Sequence, residues 1–347
     1  TPLVVEGDRF TDPGDGPVDH EIRTGPLYAL PGLADCHAHV GMESVGAGSS
    51  LSDDDIRANC IKNAWMQVGG GVLLIADKGS PSDVSLEILD APPQERPAMQ
   101  MAGRMTAPQD GYDPDYRGEV DEAGLVDAVR ASAAGPASWV KIIGDWPRKG
   151  VGPQANYGEA ALRAAVEIAH AAGRRVAVHT MAPSGLRPAV DAGVDSIEHG
   201  LFLSEDDLAK LAARRGAWVP TILGVESIIR FLGSESSGGR LLARGIENVR
   251  KLLPEAERLG ATVLAGTDLA VPHGKVALEA IRLHELGHSK AAALHAVTRA
   301  AYDYLGVVRS FTHGAIADVV FVRDDPRENI NTLLDPVVII RSGRIVT

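Results

Sequence analysis

Residues 30–41 read "LPGLADCHAHVG", an apolar run that ends in two histidines, His37 and His39, one residue apart. In an extended chain alternate side chains share a face and each residue advances about 3.3 Å, so the two imidazoles point the same way roughly 6.6 Å apart. Such a strand either satisfies two polar groups at its end or offers two ligands to one metal ion. The pair alone leaves both readings open, and the remaining residues have to decide between them.

The chain has 347 residues, of which 45% are hydrophobic and 4% aromatic, with a net charge of −12. That apolar share supports a full core. Scarce aromatics and surplus negative charge argue against nucleic acid and against an anionic membrane surface as partners. No run of about 18 apolar residues is present, so no membrane-spanning helix is expected. The opening "TPLVVEGDRF" has no charged region followed by an apolar core, so no signal peptide is expected. Two cysteines, Cys36 and Cys60, imply no disulfide framework, which makes a reducing cytoplasm the expected location. The expected partner is a small-molecule substrate, and a homo-oligomer is compatible with this composition.

Seven further apolar runs follow the opening strand: "GGVLLIAD" (70–77), "PAMQMAGRM" (97–105), "SWVKIIGD" (138–145), "RVAVHT" (175–180), "DSIEHG" (195–200), "AWVPTI" (217–222) and "TVLAGTD" (262–268). Helical patterns separate them. Leu162, Ala165, Val166 and Ala169 share one helix face and Gly173 stops that helix, while Ser204 and Asp207 form a capping-box start for "SEDDLAKLAARRG". Eight strand–helix alternations predict an α/β fold of the (β/α)8 TIM-barrel type. A doubly wound sheet competes, but no G-x-G-x-x-G turn follows the first strand. Short strands at both ends, with Ser342-Gly343 as a hairpin turn, predict a small β-sandwich subdomain built from both termini. The expected division is 1–30 for the front of that subdomain, 31–308 for the barrel and 309–347 for its back. The stretch "LGSESSGG" (232–239) reads as a flexible loop, and residues 224–240 as a mobile cover over the mouth.

Four more positions bear on the histidine pair. Lys141 lies inside "WVKIIGD", His179 ends "VAVHT", His199 ends "DSIEHG" and Asp268 ends "LAGTD". In a barrel of this type the active site lies at the C-terminal ends of the strands. The separations of 102, 38, 20 and 69 residues from His39 through Asp268 fit three, one, one and two βα units. All six side chains therefore converge on one mouth. Imidazole and carboxylate are common zinc ligands. A lysine among Val140, Ile142 and Ile143 is costly as an ammonium ion, so its pKa should fall. The neutral amine can react with carbon dioxide to give a carbamate whose two oxygens can bridge two metals, and paired ions about 3.5–4 Å apart clamp a hydroxide.

At this point the chain resembles the amidohydrolase superfamily, in the branch of imidazolonepropionase and the Xaa-Pro dipeptidase-like enzymes. The resemblance is carried by "PGLADCHAHV", "VKIIGD", "VAVHT…GVDSIEHG", "AGTD" and "GAIADVVFVRDDPRENI…VVIIRSGRIV", from residue 31 to the end. It implies that His37, His39 and Asp268 bind a more buried ion, that His179 and His199 bind a second, and that carboxylated Lys141 bridges the two. It also implies two divalent ions, with zinc as the expected identity, and Asp268 as general base and proton shuttle. Lys141 argues against imidazolonepropionase activity itself, which uses one metal and no such lysine. The implied reaction is hydrolysis of an amide-type C–N bond, as in a dipeptide or N-acyl amino acid, by the bridging hydroxide. Carbamate, urea or lactone hydrolysis with the same site is the alternative. A one-metal deaminase is weakened because no Glu follows His179, the next acid being Asp191. A non-catalytic homologue is the least expected, since no ligand is missing.

Seven other histidines are present, His20, His170, His273, His284, His288, His295 and His313, of which His170, His284, His288 and His295 fall in helical patterns and read as packing or surface groups. His273 alone, in the loop after the last strand, is a candidate for substrate contact, as are Arg148 and Lys149. Cys36 and Glu198 have the opposite parity to their neighbouring histidines and should face away, Cys36 towards the helices. Asp35 should make a structural hydrogen bond, and Asp145 is the one nearby acid able to pair Lys141. Specificity is expected in residues 106–118, 145–157 and the segment up to Gly239.

Overall fold

The computed structural model describes residues 3–14, 21–22, 25–43, 51–112 and 119–346, so His20 lies outside the described residues. A hairpin of β1 (Val4–Glu6) and β2 (Arg9–Thr11) is followed by β3 (Tyr28–Leu30) and β4 (Leu33–Ala38). Helix α1 (Asp53–Gly69), opened by a Ser52–Asp55 capping box, leads to β5 (Val72–Asp77) and β6 (Ala98–Met101). Then come α2 (Leu125–Ala134), β7 (Trp139–Ile143), the antiparallel pair β8 (Asp145–Arg148) and β9 (Gly152–Ala155), and α3 (Glu159–Ala171). β10 (Arg175–Thr180), α4 (Pro183–Ala192), β11 (Ser196–His199), α5 (Glu205–Ala213) and β12 (Ala217–Val219) continue the alternation. Helices α6 (Ile222–Leu232) and α7 (Ser237–Leu259) precede β13 (Thr262–Val263). The chain closes with α8 (Ala277–Glu285), α9 (Lys290–Ala296), α10 (Arg299–Leu305), β14 (Val319–Val322), β15 (Val338–Arg341) and β16 (Arg344–Ile345).

The eight expected strands are present and parallel. They form a three-stranded sheet, β4-β5-β6, and a five-stranded sheet, β13-β12-β11-β10-β7. Backbone hydrogen bonds span both gaps between them. On one side Ser138 N–H donates to Met101 (2.8 Å) and Thr106 N–H to Lys141 (2.9 Å); on the other Cys36 N–H donates to Ala265 (2.8 Å) and Asp268 N–H to His37 (2.9 Å). Strands buried on both faces need helices on one side, and α1 to α9 supply the large apolar layer against Val140, Ile142, Val176, Val178 and Ile197. A second layer joins Ala34, Cys36, Trp139, Ala177 and Ala217 to Tyr302 and Leu305 of α10. Since Trp139 and Ala217 open their strands, α10 covers the N-terminal ends of the strands, opposite the expected mouth.

Both termini meet beside these sheets. β3 pairs with β14, which pairs with β15, and the β1-β2 hairpin bridges from Arg9 to Ile316. Phe10 packs on Ala317 and Val319. A four-stranded sheet and a two-stranded hairpin stand where a small sandwich was expected. The β15–β16 turn has Ser342 at φ 45° and Gly343 at φ 79°, the two left-handed residues that a tight hairpin needs. Residues 232–239 are not one continuous loop but the end of α6, a short turn and the first residues of α7, and most of 224–240 is helical. Gly233 (φ 81°) ends α6, and the Ser236 side chain accepts Gly239 N–H at 2.9 Å to start α7. Serine and glycine at helix ends mimic linker composition. Among the described residues no helix is long and apolar enough to cross a membrane.

Candidate metal and active site

The six candidates lie in, at the end of or after five of the eight strands. His37 lies in β4 with His39 one residue past its end, Lys141 is central in β7, His179 is the penultimate residue of β10, His199 ends β11, and Asp268 follows β13. His37, His199 and Asp268 present ligand atoms within 4.8 Å of one another. Asp268 is the hub: its Oδ1 lies 3.4 Å from His37 Nε2 and 3.3 Å from His39 Nε2, and its Oδ2 lies 3.9 Å from His199 Nδ1. His179 Nδ1 stands 2.9 Å from His199 Nε2.

Two of the rings are oriented by a hydrogen bond at Nδ1. His39 Nδ1 is 2.7 Å from the Gly79 carbonyl, and His199 Nδ1 is 2.6 Å from Thr221 Oγ1. The backbone helps at three places: His199, Thr221 and Asp268 have φ of 64°, 46° and 47°. Left-handed backbone is uncommon for non-glycine residues and cost of order 1–3 kcal/mol applies to each. At His199 it breaks the strand alternation, so that Glu198 and His199 both reach the inside. Glu198 therefore does not face away as its parity predicts.

Burial sets the charges. It lowers the His37 ring to about 4, with Lys141 adding to the effect, and lowers His199 to about 3. It also lowers His179 well below the usual imidazole value, so these rings are neutral and able to ligate. For His39 burial is again the largest effect and works the same way, but the hydrogen bond and charge of Asp268 together with the charge of Asp77 outweigh it, and the pKa rises. Burial opposes ionisation of Asp268, yet His37 and His39 hold its carboxyl well below the usual carboxylate range. Burial pushes the Lys141 amine down to about 8.

Among the candidate ligands, Lys141 Nζ and His179 Nε2 are buried without a hydrogen-bond partner among the described residues, as is His37 Nδ1, which faces the Glu198 carboxylate. Asp145, the acid expected as the rival partner of Lys141, accepts Met181 N–H (3.0 Å) and Ala182 N–H (3.1 Å) at the start of α4 instead. Orphaned donors beside clustered neutral imidazoles and a carboxylate suit divalent cations, and the residues fit that group.

Other expectations divide. Asp35 makes its structural bonds, accepting from His37 N–H, Thr267 N–H and the Thr267 hydroxyl. Cys36 lies in the inner layer with Ala34 and Trp139 rather than against the outer helices, because the pairing of β4 with β5 slips between Asp35 and Ala38 and resets the alternation. His273 is tied to the Met42 carbonyl (3.0 Å), and Arg148 donates to Asn156 within the β8–β9 region. Two groups went unrecognised in the sequence. Lys78, just past β5, is buried against Glu198, and the aromatic pair Tyr112 and Trp146 (4.7 Å between ring centres) stands 5.8 and 6.0 Å from the His179 ring. A lysine closing the apolar run "VLLIAD" was a signal of the same kind as Lys141.

The amidohydrolase family matches residues 28–346. An uncharacterized protein of Mycobacterium tuberculosis is 33% identical over 355 residues, covering 98% of this chain and 90% of its own length. The crystal structure of a Xaa-Pro dipeptidase with methionine in its active site superposes with a TM-score of 0.81 at 23% identity, covering 99% of this chain and 94% of the other. Ochratoxinase of Aspergillus niger superposes with a TM-score of 0.79 at 20% identity, covering 99% and 90%. The expected family is therefore the observed one, and the chain belongs to the amidohydrolase family, as a hydrolase acting on C–N bonds.

Proposed function

We propose that this hydrolase uses two divalent metal ions to cleave an amide-type C–N bond in a small substrate such as a dipeptide or N-acyl amino acid. The carrying observation is Lys141: a buried amine, lowered by burial to about 8, with no partner of its own and with the His37, His39, His179 and His199 rings within reach of its charge. An unpartnered buried ammonium is costly. Carboxylation removes that cost: the neutral amine adds to carbon dioxide, one proton leaves, and the product is an anionic carbamate. In this reading His37, His39 and Asp268 hold one ion, His179 and His199 the other, and the carbamate both. Zinc suits the imidazole-rich set. Bound ions would supply Lewis acidity towards a carbonyl and would acidify water.

The chain's own groups do the rest. The Asp268 side chain is 18% exposed, so it is open to the mouth while remaining ionised. It can take a proton from the attacking water and return it to the leaving nitrogen. Trp146 and Tyr112 form an apolar wall beside His179 that suits an aromatic or bulky aliphatic substituent. The hydrogen bonds across both sheet gaps support a closed eight-stranded barrel over residues 31–308, with 1–30 and 309–347 forming the small β unit. Buried Cys36 and Cys60 thiols agree with a reducing compartment such as the cytoplasm.

Metal analysis of the purified protein, paired with a hydrolysis screen of dipeptides, N-acyl amino acids, carbamates, ureas and lactones, tests the reading. It expects two metal equivalents per chain and turnover of an amide. One equivalent with an unmodified Lys141 would return a one-metal deaminase, and no metal with no turnover a non-catalytic homologue.

A further inference from the structure

We infer that Lys78 and Glu198 form a positioning pair that fixes the tautomer and aim of His37 from behind the site. The consequence for metal affinity rests on the metal reading above; the geometry stands without it. Glu198 is fully buried, and its Oε2 lies 2.6 Å from His37 Nδ1. The approach falls short of good hydrogen-bond alignment, yet neither atom has another partner among the described residues, so each can only serve the other. The second oxygen, Oε1, accepts the Ser196 hydroxyl at 2.6 Å and lies 3.2 Å from Lys78 Nζ.

Lys78 is held in turn. It is 1% exposed, its ammonium sits 3.8 Å from the centre of the Trp139 ring, and its backbone N–H donates to Ala38 one residue from His37. A buried carboxylate without a counter-charge is costly. Here Lys78 Nζ, 3.2 Å from Glu198 Oε1, supplies that counter-charge.

An ionised carboxylate 2.6 Å from a ring nitrogen requires the proton on that nitrogen. His37 is then the Nδ1–H tautomer, and the lone pair stays on Nε2, the nitrogen that faces Asp268 at 3.4 Å. A partner that orients a ligating imidazole in this way typically changes metal affinity by about 10–100-fold when removed. Lys78 acts one step further back: it neutralises Glu198, so the carboxylate can orient His37 without adding net negative charge to the interior.

The test uses the metal-free full chain. Nitrogen NMR of the His37 ring, assigned by difference with His37→Gln, should show Nδ1 as the protonated nitrogen in the wild type and a shift towards mixed tautomers in Glu198→Gln. Zinc titration should show affinity falling about tenfold to a hundredfold in Glu198→Gln. If that variant folds poorly, Lys78→Met/Glu198→Gln removes both buried charges at similar volume and should show the same loss. A merely structural pair would lower the melting temperature without moving tautomer or affinity, and that result would overturn the inference. So would an Nε2–H tautomer in the wild type. If the wild type takes up no metal, the metal reading fails, while the tautomer measurement still decides this one.

Discussion

Replacing Gly266 by alanine should push apart the β4 strand and the segment carrying Asp268. A Cβ built at Gly266 would lie 2.4 Å from His37 Cβ, 2.7 Å from Val219 Cγ1 and 2.9 Å from the His37 backbone nitrogen. Ordinary carbon–carbon contact begins near 3.5 Å, so relief needs a movement of about an ångström. Two of the three opposing atoms belong to the backbone or the first carbon of His37, which cannot swing away as a side-chain tip would. Overpacking of this kind costs about 1–3 kcal/mol. The two backbone hydrogen bonds beside it, Cys36 N–H to Ala265 and Asp268 N–H to His37, would stretch, adding about 1 kcal/mol. For a chain of this length a total of about 2–4 kcal/mol corresponds to roughly 3–6 °C in Tm. Because His37 moves with its strand, zinc affinity should fall by about tenfold or more. Gly69→Ala is the control: its added Cβ meets nothing within 4 Å, so its Tm should hold or rise slightly. Differential scanning calorimetry and zinc titration read both variants. A Gly266→Ala protein with unchanged Tm and affinity would refute the steric reasoning.

Lys141→Met should remove at least one metal equivalent and most of the turnover, while the metal-free protein melts no lower than wild type because a partnerless buried amine has gone; a markedly lower melting temperature would point to a structural partner instead. Short-chain carboxylic acids should restore part of the activity of Lys141→Ala by supplying an anionic bridge. Trp146→Ala should raise KM about 5–30-fold for substrates with an aromatic group and leave small aliphatic ones nearly unaffected, as steady-state kinetics on matched pairs would show. Asp145 is raised by burial from its ordinary value near 3.8 to about 7. Since its folded pKa lies above the unfolded one, its contribution is fully present below about pH 4 and is lost as pH rises through 7. Urea unfolding of Asp145→Asn between pH 5 and 8 should therefore fall less steeply with pH than that of the wild type, and parallel slopes would exclude the effect.

The fold could be read from the alternation of apolar runs with helical patterns, because most of these strands are buried on both faces and stand out from their surroundings. Helix α3 and its buried face at Leu162, Ala165, Val166 and Ala169 follow directly from spacing. The candidate ligands were visible for a related reason: a histidine, lysine or aspartate closing an apolar strand has few structural roles. What escaped depends on departures from regularity. The pairing slip in β4 turned Cys36 inward, and the left-handed backbone at His199 brought that ring inward beside Glu198, which the regular register with His179 and Val219 already places on the inner face. Parity counting assumes an ideal pleat and cannot see either. Lys78 gains its meaning from Glu198, more than a hundred residues away, and Trp146 from a short hairpin whose direction depends on the whole sheet. The serine- and glycine-rich residues 232–239, which end α6 and begin α7, resemble a linker because residues that cap helices are also those that fill linkers.

His199, Thr221 and Asp268, three left-handed positions whose side chains belong to the site, set folding and catalysis against each other. Glycine would relax each backbone and favour the folded state. It would also delete an imidazole, a hydroxyl that orients that imidazole, and the carboxylate at the centre of the cluster. Random drift that favoured stability alone would therefore erode the site at these positions, and only selection for turnover can keep them. Thr221 is the most telling of the three, because a β-branched residue is the least suited to its φ of 46° and its hydroxyl stands 2.6 Å from His199 Nδ1. A variant library selected for heat resistance without an activity screen would be drawn towards losing the enzyme at these residues.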